Sequence, residues 1–81
     1  MRHEREVPSS EPSTARYANY FEIGYNAFEF VVDFGQFHEG ASRAICHTRI
    51  VLNPLQALNL LHLLRESLER YEGAFGEIRD R

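Results

Sequence analysis

The chain of 81 residues lacks lysine, has a single cysteine and contains no apolar run long enough to span a bilayer. The lone Cys46 excludes a disulfide within one chain and fits a reducing compartment. The net charge of −3 argues against a general nucleic-acid binder, because such proteins carry a basic surface. The N-terminus also lacks the apolar core of a signal peptide. We therefore expect a soluble, cytoplasmic protein that binds neither nucleic acid nor membrane.

The first sixteen residues have too few apolar side chains to form part of a core. Val7 is the only sizeable aliphatic residue there beyond Met1, among prolines, serines and charged residues. The composition predicts a disordered tail over 1–16, one domain over 17–78 and a disordered end at 79–81. A domain of this size buries only about 60% of its unfolded surface, so oligomerisation is a common source of added stability.

Three segments alternate between apolar and polar residues, which predicts an antiparallel β-meander. The first strand covers about 18–25, with a tight turn at 25–27. The second begins at Phe28 and ends near Gly35, where we expect a bulge. The third covers about 44–52. Strict alternation places four of its residues on one face, Cys46, Thr48, Ile50 and Leu52, and four on the other, Ile45, His47, Arg49 and Val51.

A helix follows the third strand. Asn53 is a favourable N-cap, Pro54 suits the first helical position, and Gln56 stands at N3. We expect the helix to end near Phe75, with Gly76 as the terminating glycine. Its apolar stripe is broad, covering an arc of about 160° at 100° per residue. The predicted fold is α+β, a three-stranded antiparallel meander with one long C-terminal helix packed across it and its edge against a helix of another copy.

Pairs of residues with chemical potential occur, but none forms a motif. Cys46 and His47 are adjacent on a strand and point to opposite faces, so we expect a buried cysteine beside a partly exposed histidine. His38 and Glu39 suit a solvated loop. Zinc requires about four ligands at suitable spacing, which the sequence does not offer. We therefore assign no catalytic, cofactor or metal site and expect that the protein is not an enzyme.

Residues 19–78 resemble a family of small prokaryotic proteins known only as a domain of unknown function. The resemblance lies in four segments: Asn19-Tyr20-Phe21-Glu22-Ile23-Gly24, then Phe28-Glu29-Phe30 leading to Asp33-Phe34-Gly35-Gln36, then His47-Thr48-Arg49-Ile50-Val51 with Pro54, and finally Tyr71-Glu72 with Phe75-Gly76-Glu77-Ile78. It implies a prokaryotic origin and family membership. It implies no activity.

The broad stripe on a small domain favours a homodimer or a higher even oligomer. The expected interface residues are Arg49, Leu60, Leu63, Leu64 and Tyr71. Arg49 should pair with Glu29 or Asp33 across the sheet. The expected function is a non-enzymatic protein-binding or adaptor module with an unknown protein partner. The alternative is a small-molecule or metal site formed only at a subunit interface, using His47, Cys46 or Arg49 from facing chains.

Overall fold

The computed structural model describes residues 14–80 and contains a three-stranded sheet followed by one helix. The strands are β1 (Tyr20–Tyr25), β2 (Phe30–Gln36) and β3 (Ile45–Leu52), and the helix is α1 (Pro54–Phe75). The sheet order is β1-β2-β3, and both pairings are antiparallel. The predicted α+β meander with a C-terminal helix is therefore confirmed. Of the predicted tail over 1–16, only 14–16 fall within the described residues, and residue 81 lies outside them.

The turn between β1 and β2 is built by the side chain of Asn26. Its Oδ1 accepts hydrogen bonds from the backbone N–H of Phe28 at 2.8 Å and of Glu29 at 3.0 Å. The Asn26 N–H in turn donates to the Glu29 carbonyl at 3.0 Å. An asparagine side chain that satisfies the backbone in this way stabilises a turn. The prediction that β2 begins at Phe28 was wrong, because these bonds keep Phe28 in the turn.

A β-bulge interrupts the pairing of β2 with β3 after Phe34. Phe34 pairs with Thr48 and Gly35 pairs with Cys46, so His47 is the additional residue on β3. An added Cβ on Gly35 would lie 2.6 Å from the carbonyl oxygen of Ile45, which explains the glycine at this close approach. The bulge predicted near Gly35 is confirmed.

The bulge also changes which face of the sheet Cys46 occupies. Because His47 takes up one extra position, the alternation of side chains restarts before it. Cys46 therefore shares a face with its partner Gly35 and with Arg49, whereas Ile45 joins the face of Thr48. The prediction that Cys46 and Thr48 share one face was wrong, because it assumed uninterrupted alternation.

Both ends of α1 agree with the sequence. The Asn53 side chain accepts a hydrogen bond from the Gln56 N–H at 2.8 Å, and Pro54 occupies the first turn. At the other end the Gly76 N–H donates to the Glu72 carbonyl at 2.9 Å, and its φ of 104° favours glycine. The predicted helix boundaries are confirmed.

The prediction that α1 packs across its own sheet was wrong. Helix α1 contacts the sheet chiefly at β3, the strand from which it departs, and none of its residues is buried. The connection is Asn53 alone, held extended at φ −74° and ψ 164°. Because a residue before proline favours extended backbone, Asn53 carries the chain from β3 into α1 without a turn. Within residues 14–80 no hydrophobic side chain is buried.

Candidate interaction surface

One side of the sheet is apolar across all three strands. We define the apolar sheet face by its cross-strand rows: Phe21, Phe34 and Thr48; Ile23, Val32 and Ile50; Tyr25, Phe30 and Leu52. The Phe21 and Phe34 rings meet edge to face, with centroids 5.8 Å apart, and those of Tyr25 and Phe30 lie 5.5 Å apart. Such pairs favour the strand register. This face is nevertheless open, since Ile23 is 66% exposed.

The second apolar surface is the helix stripe, which consists of Ala57, Leu58, Leu60, Leu61, Leu64, Leu68, Tyr71 and Phe75. Leu64 in its middle is 52% exposed, and the Tyr71 and Phe75 rings lie 5.1 Å apart at its end. A surface helix normally turns such a stripe toward a core. Here every residue of the helix stripe except the half-buried Ala57 is exposed.

The chain after the helix folds back beside this stripe. The Ile78 N–H donates to the Glu72 carboxylate at 3.0 Å, and a shallow groove forms between α1 and the returning chain. Its apolar walls are Leu61, Leu64, Leu68 and Ile78. Helical periodicity did not predict the position of Ile78, because this residue lies beyond the helix. An isolated aliphatic residue just after the terminating glycine was the available signal, since such residues often contact the last helical turns.

We call the other side of the sheet the polar sheet face. It carries an ion pair and a hydrogen bond from a tyrosine hydroxyl. Its rows are Tyr20, Gly35 and Cys46; Glu22, Asp33 and Arg49; Gly24, Val31 and Val51. Arg49 Nε and Nη2 donate to the two carboxylate oxygens of Asp33 at 2.7 and 2.9 Å. The Tyr20 hydroxyl donates to Glu22 at 2.9 Å. The predicted cross-strand pairing of Arg49 with Asp33 is confirmed.

These contacts shift the ionisation of the groups that make them. The hydrogen bonds from Arg49 lower the pKa of Asp33 below its ordinary value, because they favour the carboxylate. The hydrogen bond to Glu22 raises the pKa of Tyr20, because only the protonated phenol can donate it. Neither shift creates an acid or base suited to catalysis near neutral pH. The Arg49–Asp33 contact links β3 to β2, whereas Tyr20 and Glu22 both lie on β1.

His47 is occupied by contacts within the chain. Its Nε2 lies 2.9 Å from the Tyr17 carbonyl oxygen, and its Nδ1 lies 2.7 Å from Thr48 Oγ1. A carbonyl only accepts, so Nε2 carries the hydrogen, and in the neutral ring Nδ1 accepts from the Thr48 hydroxyl. Neither ring nitrogen is then free to bind a metal.

The prediction that Cys46 is buried was wrong, because this residue is exposed on the polar sheet face. His38 lies exposed in the β2–β3 loop. In the part of the chain that the structure describes, no three histidine, cysteine or acidic side chains lie close enough to hold a metal ion.

The predicted interface residues do not form one surface. Leu60, Leu64 and Tyr71 lie together in the helix stripe, and each is about half exposed. Leu63 is half-buried on another side of α1, and Arg49 belongs to the polar sheet face. Three of the five predicted residues therefore share the helix stripe. Whether any of these residues contacts a partner stays a prediction.

Between residues 14 and 80, no helix combines the length and apolar character that crossing a bilayer requires. The described residues thus form a small α+β protein with an exposed apolar sheet face and an exposed helix stripe. The sequence profile of the family described as Protein of unknown function (DUF3467) matches residues 3–80, and the chain belongs to this family. No curated protein matches the sequence. No solved structure matches it either.

Proposed function

We propose that the protein is a non-enzymatic, homo-oligomeric binding module whose first partner is a second copy of itself. The observation that carries this proposal is the absence of any buried hydrophobic side chain within residues 14–80, beside two outward-facing apolar surfaces. Exposed patches of this kind on soluble proteins mark interaction sites.

Energetic considerations support association. Complete burial of a leucine, isoleucine or phenylalanine side chain stabilises a fold by about 1.5–3 kcal/mol. Ile23, Leu64 and Phe75 are each more than half exposed, so the single chain obtains only part of this stabilisation. Ordering the backbone opposes folding by about 1–2 kcal/mol per residue. A second copy that covers these surfaces supplies the missing burial.

Binding of a different protein is the further part of this proposal. In the order β1-β2-β3 both outer strands have one edge that no strand of the same sheet occupies. Such edges accept an extended segment of a partner, with backbone hydrogen bonds supplying affinity and alternate side chains supplying selectivity. An adaptor role therefore requires edges that stay accessible after self-association.

Sedimentation equilibrium of the purified full chain at micromolar concentration tests the self-association. We expect a dimer or a higher even oligomer. The variant Leu64→Glu, which places a charge in the helix stripe, should dissociate it. His62→Glu is the matched control, because His62 is exposed on the opposite side of the same helix. A monomeric wild-type chain, or equal effects of the two variants, would refute the proposal.

The alternative function is a ligand or metal site completed at a subunit interface. The observation that favours it is the exposed thiol of Cys46, which lines a depression on the polar sheet face with Asp33 and Arg49. The internal contacts of His47 and Arg49 leave it less support. Metal analysis of untagged protein distinguishes the two functions. A stoichiometric metal that is lost on Cys46→Ser would establish the alternative.

A further inference from the structure

The helix stripe and the apolar sheet face of one chain do not cover each other. Helix α1 begins one residue after β3 and has its main sheet contacts there. Ile23 on β1 and Tyr25 at its end are 66% and 77% exposed, so no helix lies over them. One molecule therefore presents two complementary apolar surfaces that its own connection keeps apart.

The dimensions of the two surfaces agree. Helix α1 has 22 residues and is about 33 Å long. Three strands span about 10 Å between the axes of the outer two, and the six residues of β1 extend for about 20 Å. A single helix is therefore wide and long enough to cover the apolar sheet face.

In a symmetric dimer, one arrangement of the two copies covers both kinds of apolar surface. If the helix of one copy crosses the sheet of the other, a two-fold axis places the second helix on the first sheet in the same way. This one arrangement covers both sheets and both helix stripes. Association through the sheets alone leaves the stripes bare, and association through the helices alone leaves the sheets bare.

We infer that the protein assembles by reciprocal helix docking, in which the helix stripe of each copy lies across the apolar sheet face of the other. Leu64 and Leu68 then contact the row of Ile23, Val32 and Ile50 in the partner. The polar sheet face, with Arg49 and Asp33, remains outside this contact. The inference rests on the proposed self-association and specifies its geometry.

Cross-linking between differently tagged chains tests this geometry. Both chains carry Cys46→Ser, which removes the exposed native thiol; one also carries Ile23→Cys and the other Leu64→Cys. The chains are co-expressed and treated with a short bismaleimide. We expect mixed-chain product at several times the yield of either same-residue product. A second pair, Tyr25→Cys with Leu68→Cys, repeats the test should the first pair disturb folding.

Other cross-linking products would indicate a different packing of the two copies. Predominant linkage of Ile23→Cys to itself would indicate sheets packed face to face, and that of Leu64→Cys to itself would indicate helices packed together. Either overturns reciprocal docking, as does a dimer that gives no mixed product from either pair. Sedimentation of the same samples separates the two proposals. A dimer with the wrong linkage rejects only the inference, whereas a monomer rejects the proposed function as well.

Discussion

Arg49 and Asp33 are joined by two hydrogen bonds of 2.7 and 2.9 Å across the pairing of β2 with β3. The carboxylate of Asp33 is largely covered, with 13% of its side chain exposed, whereas Arg49 is 68% exposed. Arg49 therefore supplies both donors to a carboxylate that is largely covered. Loss of the arginine leaves that carboxylate without its two donors.

Arg49→Ala should lower the melting temperature, because Asp33 loses both hydrogen bonds. Since the pair lies on the polar sheet face, the association state should not change. Thermal unfolding at several protein concentrations, with sedimentation of the same samples, measures both effects. Dissociation of the variant to monomer would instead place Arg49 at an interface, which is what its position in a strand suggested from the sequence.

Because of the same pair, we expect the stability of the fold to decrease in acid. Arg49 lowers the pKa of Asp33 in the folded chain below its ordinary value of 3.8, which the unfolded chain retains. The contribution of the carboxylate to stability is therefore present above that ordinary value and is lost as pH falls through the lower, folded-state pKa. Urea unfolding near neutral pH and below about pH 3 measures how much unfolding free energy is lost in acid. This loss should be smaller in Arg49→Ala than in wild type. Equal losses would mean that the pair does not contribute to the pH dependence.

Gly35→Ala should destabilise the fold by about 1–3 kcal/mol, the usual range for overpacking. The added methyl group would lie 2.6 Å from the Ile45 carbonyl oxygen, so β3 must move and the bulge must distort. Gly24→Ala is the control on the same sheet face, because an added Cβ there meets no atom within 4 Å. Chemical denaturation compares the two variants. Similar stabilities would show that the close approach imposes no constraint.

Asn53→Ala should cost about 0.5–2 kcal/mol through loss of the helix N-cap. The side chain of Asn53 accepts the hydrogen bond from Gln56 N that would otherwise be unsatisfied at the start of α1. Asn59→Ala is a suitable comparison, since it removes only a side-chain contact of 3.4 Å to Gln56 inside the helix. Helix content and unfolding free energy measured together would show whether the cap is needed. A neutral Asn53→Ala would argue that β3 alone positions the helix.

Local signals in the sequence were sufficient to predict most of the fold. Asn53, Pro54 and Gly76 act through hydrogen bonds within a few residues, so the helix ends were predictable. The alternation of β2 from Phe30 to Phe34 gave its faces directly. The start of β2 was missed because Asn26 forms two backbone hydrogen bonds that shorten the strand.

Non-local geometry accounts for the remaining errors. The effect of the bulge on Cys46 depends on which residue of β3 is unpaired, and a single strand does not reveal this. The direction of α1 depends on the single-residue connection at Asn53, and a helix stripe alone does not reveal which sheet it covers. Opposite charges favour facing positions on neighbouring strands, so the sequence limited the partner of Arg49 to Glu29 or Asp33, and the strand register selects Asp33.

The central claim is that the apolar sheet face is covered by a second copy of the chain. Its most direct test is sedimentation equilibrium of Ile50→Asp and Val51→Asp beside wild type. The two positions are neighbours on β3 with 43% and 55% exposure, but Ile50 belongs to the apolar sheet face and Val51 to the polar one. We predict an oligomeric wild type, an oligomeric Val51→Asp and a dissociated Ile50→Asp. A wild-type chain that is monomeric at micromolar concentration, or an Ile50→Asp variant that associates as strongly as Val51→Asp, would contradict the account.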